Sequence, residues 1–144
     1  EGNGVEQDKK EAVKWYRRAA FQGNVSAQSN LGYCYLEGIG IGKSAADAIK
    51  WIKKAADAGD TSAQSNYGTC LVNGVALDVD YTEGVKYLKL AADKGDIQAI
   101  GNLGACYYNG MGVERDTNKG LMMIRQAANE GNEEAKAALR RIRR

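Results

Sequence analysis

The residues with chemistry to offer recur at a fixed interval. Cys34, Cys70 and Cys106 lie 36 residues apart, and so do Asn30, Asn66 and Asn102. A thiol can act as a nucleophile or a soft metal ligand, but each role needs partners. The sequence contains no histidine, so no Ser-His-Asp or Cys-His nucleophile can be assembled. Three cysteines so far apart, without histidine, do not form a zinc site. The Gly38-Ile39-Gly40 and Gly110-Met111-Gly112 segments look like phosphate loops only at first sight. They lack the Gly-Lys-Ser/Thr that follows in such loops, and no strand precedes them. The acid pair Glu133-Glu134 falls at a helix start, where carboxylates favour the helix dipole. These residues predict no catalysis, no cofactor and no metal. The asparagines are different, because an amide both donates and accepts. A row of them can hydrogen-bond the backbone of an extended peptide whatever its side chains.

The interval belongs to the whole chain. Residues 27–62, 63–98 and 99–134 begin AQSNLGYCYLEG, AQSNYGTCLVNG and AIGNLGACYYNG. Residues 1–26 match the back part of that unit, and residues 135–144 restart its front part. The chain therefore reads as a partial repeat, three full repeats and a partial capping repeat, cut from a longer protein. The 144 residues contain 18 glycines and no proline, as expected of helices separated by glycine turns.

Each unit predicts two helices. In the first, helix A, Ala27, Leu31, Cys34 and Tyr35 form one apolar stripe. Gly38, Gly74 and Gly110 end it. Asp8, Ser44, Asp80 and Asp116 are the expected N-caps of the second helix, helix B. Glu11, Asp47 and Glu83 stand three residues further on, as in a capping box, though Asp47 has a shorter reach. Helix B carries Trp15, Tyr16, Ala19 and Ala20, then Trp51, Ile52, Ala55 and Ala56. One such pair cannot bury its apolar faces alone, whereas stacked pairs can.

The run Ala27, Leu31-Gly32, Tyr35, Gly38-Ile39-Gly40-Ile41, Ala48, Trp51, Ala55-Ala56, Gly59 resembles the Sel1-like repeat, a relative of the tetratricopeptide repeat. The second copy departs most, with Tyr67, Leu71, Ala76 and Gly84 off the pattern, so its turn is expected to be the least regular. The resemblance implies an all-α fold, a right-handed α-α superhelix, acting as a non-catalytic scaffold or adaptor for protein–protein interaction. It also implies that helix A lines the concave face. Opposite the apolar stripe, helix A carries Asn30, Tyr33 and Glu37, then Asn66, Thr69 and Asn73, then Asn102, Tyr108 and Asn109. These nine are the expected partner-binding residues, for a protein or an extended peptide.

Two alternatives are a structural spacer within a longer array, and a binder of an acidic partner through the basic outer face and the arginines of 140–144. Segments 25–37, 61–73 and 97–109 contain no Lys or Arg, and the net charge is only +2. An inner-face nucleic-acid groove is not expected. No apolar run approaches the roughly 18 residues of a membrane helix. Equivalent helices of neighbouring repeats pack about 8–10 Å apart or more. A disulfide needs Cα atoms within about 7 Å, so three free, buried thiols are expected, with a lean towards a reducing, cytoplasmic setting. Trp15, Tyr16 and Ala19 lack a covering helix A, so self-association through that end is expected.

Overall fold

Caps and glycines decide where each helix starts and stops. The computed structural model describes residues 2–143, with side chains from Gly4. Among the described residues the regular structure is eight helices: α1 (Gly2–Phe21), α2 (Val25–Glu37), α3 (Ala45–Asp57), α4 (Thr61–Asn73), α5 (Tyr81–Asp93), α6 (Ile97–Asn109), α7 (Thr117–Asn129) and α8 (Glu133–Ile142). Helices A are α2, α4, α6 and α8. Asn24, Asp60, Asp96 and Asn132 cap them, each side chain accepting from the backbone N–H three residues on at 2.8–2.9 Å. Ser44, Asp80 and Asp116 cap the helices B in the same way.

Asp8 departs from the expectation, because α1 runs straight through it. In the other units the cap residue's N–H donates to a helix-A carbonyl nine residues upstream: Ser44 to Tyr35, Asp80 to Leu71, Asp116 to Tyr107. Asp8 instead lies inside α1, where the helix continues past it. The capping boxes are also incomplete. Asp47 accepts from the Ser44 hydroxyl at 2.8 Å rather than from its backbone, while Glu11 and Glu83 face Lys14 and Lys86 at 3.4 Å each. A lysine three residues on offers an exposed acid a nearer partner, at little gain in stability.

The chain divides into two compact units, residues 1–64 and 65–144. In the first, α1 packs on α2 and α2 on α3. Val13, Ala20, Leu31, Cys34 and Trp51 form its buried cluster, with Tyr16 and Tyr35 against them. In the second, α5 packs on α6, α6 on α7 and α7 on α8. Val85, Leu88, Leu103 and Cys106 form one buried cluster, and Ile100, Ile124, Ala127 and Ala135 another.

Each helix A lies close enough to its own helix B that only glycine fits at the crossing. A Cβ on Gly32 would sit 2.6 Å from Ile52 Cγ1 and 3.0 Å from its backbone nitrogen. On Gly104 it would sit 3.0 Å from the Gly120 carbonyl oxygen. A second device ties each B helix to the next A helix. Gln28 Nε2 donates to the Ala20 carbonyl and Gln64 Nε2 to that of Ala56, at 3.2 Å each, and both glutamines are buried. A buried amide is tolerated because the carbonyl near the helix end, which also takes the N–H of the closing glycine, has a second lone pair to accept from it. The third copy replaces this link with Ile100, packed into the apolar cluster.

The second turn keeps the backbone conformation of the other two, against the expectation that it would be the least regular. Gly40 and Gly112 adopt φ of 70° and 73°, and Ala76, at the same position, is held at 65°. Among the described residues it is the non-glycine with positive φ.

Candidate functional site

The expected partner-binding residues all lie on helices A, in α2, α4 and α6. In the first unit, Asn30, Tyr33 and Glu37 all lie exposed on α2, with Tyr33 showing 45% of its surface. In the second unit, Asn66, Thr69, Asn102 and Tyr108 are half-buried, and Asn73 and Asn109 are exposed.

Asn73, Asn102, Tyr108 and Asn109 line two cavities that share Ala105, Ile124, Ala138 and Arg141 as walls. The smaller, about 180 Å³, is bounded by Asn73, Asn102 and Asn132, with Glu134 and Arg141. The larger, about 420 Å³, is bounded by Tyr108, Asn109, Arg141 and Ile142. Together they form a groove between α6 and α8, with helix-A residues as most of its walls.

Two of the amides are already partly engaged. Asn102 Nδ2 donates to Thr69 Oγ1 at 2.8 Å, joining α6 to α4. Asn109 Nδ2 donates to the Ala105 carbonyl one turn back, at 3.0 Å. What these side chains still present is a carbonyl oxygen and the second amide N–H. The amide row is thus less symmetric in its chemistry than the sequence alone implies.

Arg141 is the residue that the sequence reading missed. It was grouped with the basic end of the chain, yet it walls both cavities. One more 36-residue step along the stripe Tyr33, Thr69, Ala105 reaches position 141, which is the signal that could have found it. Its neighbours Arg140 and Arg143 are exposed, and Arg144 lies outside the described residues.

Cys34, Cys70 and Cys106 are buried and form no disulfide among the described residues. Burial pushes the Cys34 thiol up, and that of Cys106 up to about 11. Thiols held protonated this way are poor nucleophiles. No group of three or more His, Cys, Asp or Glu that could hold a metal ion occurs among the described residues.

The outer face is built from helix B. Its cations lie over aromatic rings: Arg18 is 5.2 Å from the Trp15 ring centroid and Lys50 5.2 Å from Trp51, both on helices B, and Lys119 of α7 is 4.4 Å from Tyr107 of α6. No helix among the described residues is long and apolar enough to cross a membrane.

The Sel1 repeat family model matches residues 1–24, 25–60, 61–96 and 97–132. The chain belongs to the Sel1 repeat family. Sel1 repeats are helical repeats that serve generally as non-catalytic protein–protein interaction modules. No curated protein matches the chain. Among solved structures, it is 36% identical to a Sel1 repeat protein from Oxalobacter formigenes, with a TM-score of 0.75, over 88% of this chain and 52% of that one. It is 38% identical to a protective antigen present in uropathogenic Escherichia coli strains and displaying an SLR fold. That match has a TM-score of 0.77 and covers 85% of this chain and 26% of that one. The Helicobacter pylori cysteine rich protein B shares the fold, at 20% identity and a TM-score of 0.65, over 96% of this chain and 99% of that one. The chain thus spans about half and about a quarter of the length of its two more identical Sel1 relatives.

Proposed function

We propose that the helix-A face of this Sel1 repeat protein binds an extended segment of a partner protein, without catalysis. The observation that carries the reading is the groove in the second unit, where Asn73, Asn102, Tyr108 and Asn109 share one set of walls. Amide oxygens can accept from a peptide's N–H groups, and a half-buried tyrosine supplies rigid contact area at low entropic cost. The exposed Asn30, Tyr33 and Glu37 of α2 offer the same chemistry in the first unit. Asn66 and Thr69 belong to the same row, with Thr69 also fixing the Asn102 amide.

The test is an affinity pull-down with the 144-residue chain as bait, read by mass spectrometry. A partner retained by the wild type is expected to be lost with an Asn73→Ala, Asn102→Ala, Tyr108→Ala, Asn109→Ala variant. Circular dichroism establishes that the variant is folded. Equal retention by the folded variant would refute the groove as the binding surface.

A further inference from the structure

We infer that the groove between α6 and α8 selects an extended peptide carrying one acidic side chain, with Arg141 as the residue that reads it. This deepens the proposed function and rests on it.

The argument begins from what the groove offers a ligand. Arg141 walls both cavities. Among the described residues it has no ion-pair partner, and the acid that shares the smaller cavity, Glu134, is not within ion-pair reach of it. The ion pair on α8 joins Lys136 and Glu133 instead. Arg141 is therefore an unpaired guanidinium beside a half-buried tyrosine and amide carbonyls. Its planar fork of donors matches a carboxylate in two parallel hydrogen bonds.

The amides point to the rest of the ligand. Asn102 and Asn109 have each committed an N–H, to Thr69 and to the Ala105 carbonyl. Each keeps its oxygen and a second N–H, so a ligand can both donate to it and accept from it, as the backbone of an extended chain does. A ligand that donates along its backbone and accepts at one charged point is a peptide with an Asp or Glu. Glu134 limits the number of charges. A run of acids would place a second carboxylate near it, at a cost from like-charge repulsion. A single acid meets Arg141 and avoids that.

The experiment uses the whole chain and a random library of octapeptides, acetylated at the N-terminus and amidated at the C-terminus, so that any carboxylate belongs to a side chain. A parallel library keeps the C-terminal carboxylate free. The wild type is expected to enrich peptides with one Asp or Glu at a constant position. Their affinity is expected to fall on the order of tenfold in Arg141→Ala, as for loss of a hydrogen bond to a charged group, and less in Arg141→Lys. Arg141→Glu is expected to enrich Lys or Arg at that position. Because Arg141 is exposed and unpaired, all three variants should keep the wild-type melting temperature. Four results would overturn the inference. Peptides enriched without an acid and held equally by Arg141→Ala would leave the groove a binding site but remove its selectivity. Enrichment confined to the free-carboxylate library would assign the ligand to a chain terminus. Acid-dependent binding that survives Tyr108→Ala with Asn109→Ala would put Arg141's ligand outside the groove. No enrichment in either library would defeat this inference and the proposed function together.

Discussion

Trp15 and Trp51 hold the same position in successive repeats, yet one is 63% exposed and the other 4%. Trp51 lies between α2 and α3 in the cluster with Leu31 and Cys34, and Phe21 meets it edge-on at 5.0 Å. Trp15 has an arginine over its ring and open solvent beyond. The residue and its place in the helix are identical, so the difference lies in which helix stands opposite. The turns make the same comparison through backbone conformation. Gly112 and Ala76 share a left-handed conformation, but one fits it without a side chain and the other bears a methyl group.

The largest test of this contrast is Trp51→Ala. Removing a buried aromatic and leaving a cavity should cost about 3–5 kcal/mol, read as a lower midpoint of urea unfolding. Next comes Gly112→Ala. Its Cβ would sit 2.5 Å from the Tyr81 carbonyl oxygen, at φ of 73°. The left-handed conformation alone disfavours alanine by about 1–2 kcal/mol, and the close approach adds to it. A thermal melt should show a loss above 2 kcal/mol, roughly. If Gly112→Ala is neutral, the turn adapts easily and the contrast with Ala76 collapses. Ala76→Gly should then act in the opposite sense and stabilise by about 1 kcal/mol. The smallest effect belongs to Trp15→Ala, which should change unfolding free energy by less than about 0.5 kcal/mol, as at an ordinary surface site. A cost near that of Trp51 would mean that Trp15 is covered in solution. Analytical ultracentrifugation would show whether a second copy covers it, as the sequence leads one to expect.

Much of the helix pattern was legible because it rests on local rules. Caps such as Ser44, Asp80 and Asn132 act within three residues, and the glycine-ended helices follow from backbone conformation. The departures involve partners that local rules do not supply. Asp8 does not cap, since α1 runs through it, and a cap side chain alone does not start a helix. Gln28 and Gln64 read as unremarkable polar positions, yet each satisfies a helix-end carbonyl from eight residues away. At the candidate site, the sequence pointed to Asn102 and Asn109 but not to the bonds they already make. Thr69 lies 33 residues from Asn102, and only folding brings them together. Arg141 is obscured by its neighbours, since four arginines in five residues look like a tail until the helix places Arg141 at a cavity wall.

The glycine crossings have a consequence at the far end of the fold. The series Gly32, Gly68, Gly104 continues, 36 residues on, at Arg140. Where three helices present a bare notch, α8 presents a long charged arm. A helix approaching α8 at this position would meet a hydrated guanidinium where α3 meets bare backbone on α2, and would have to keep a greater distance there.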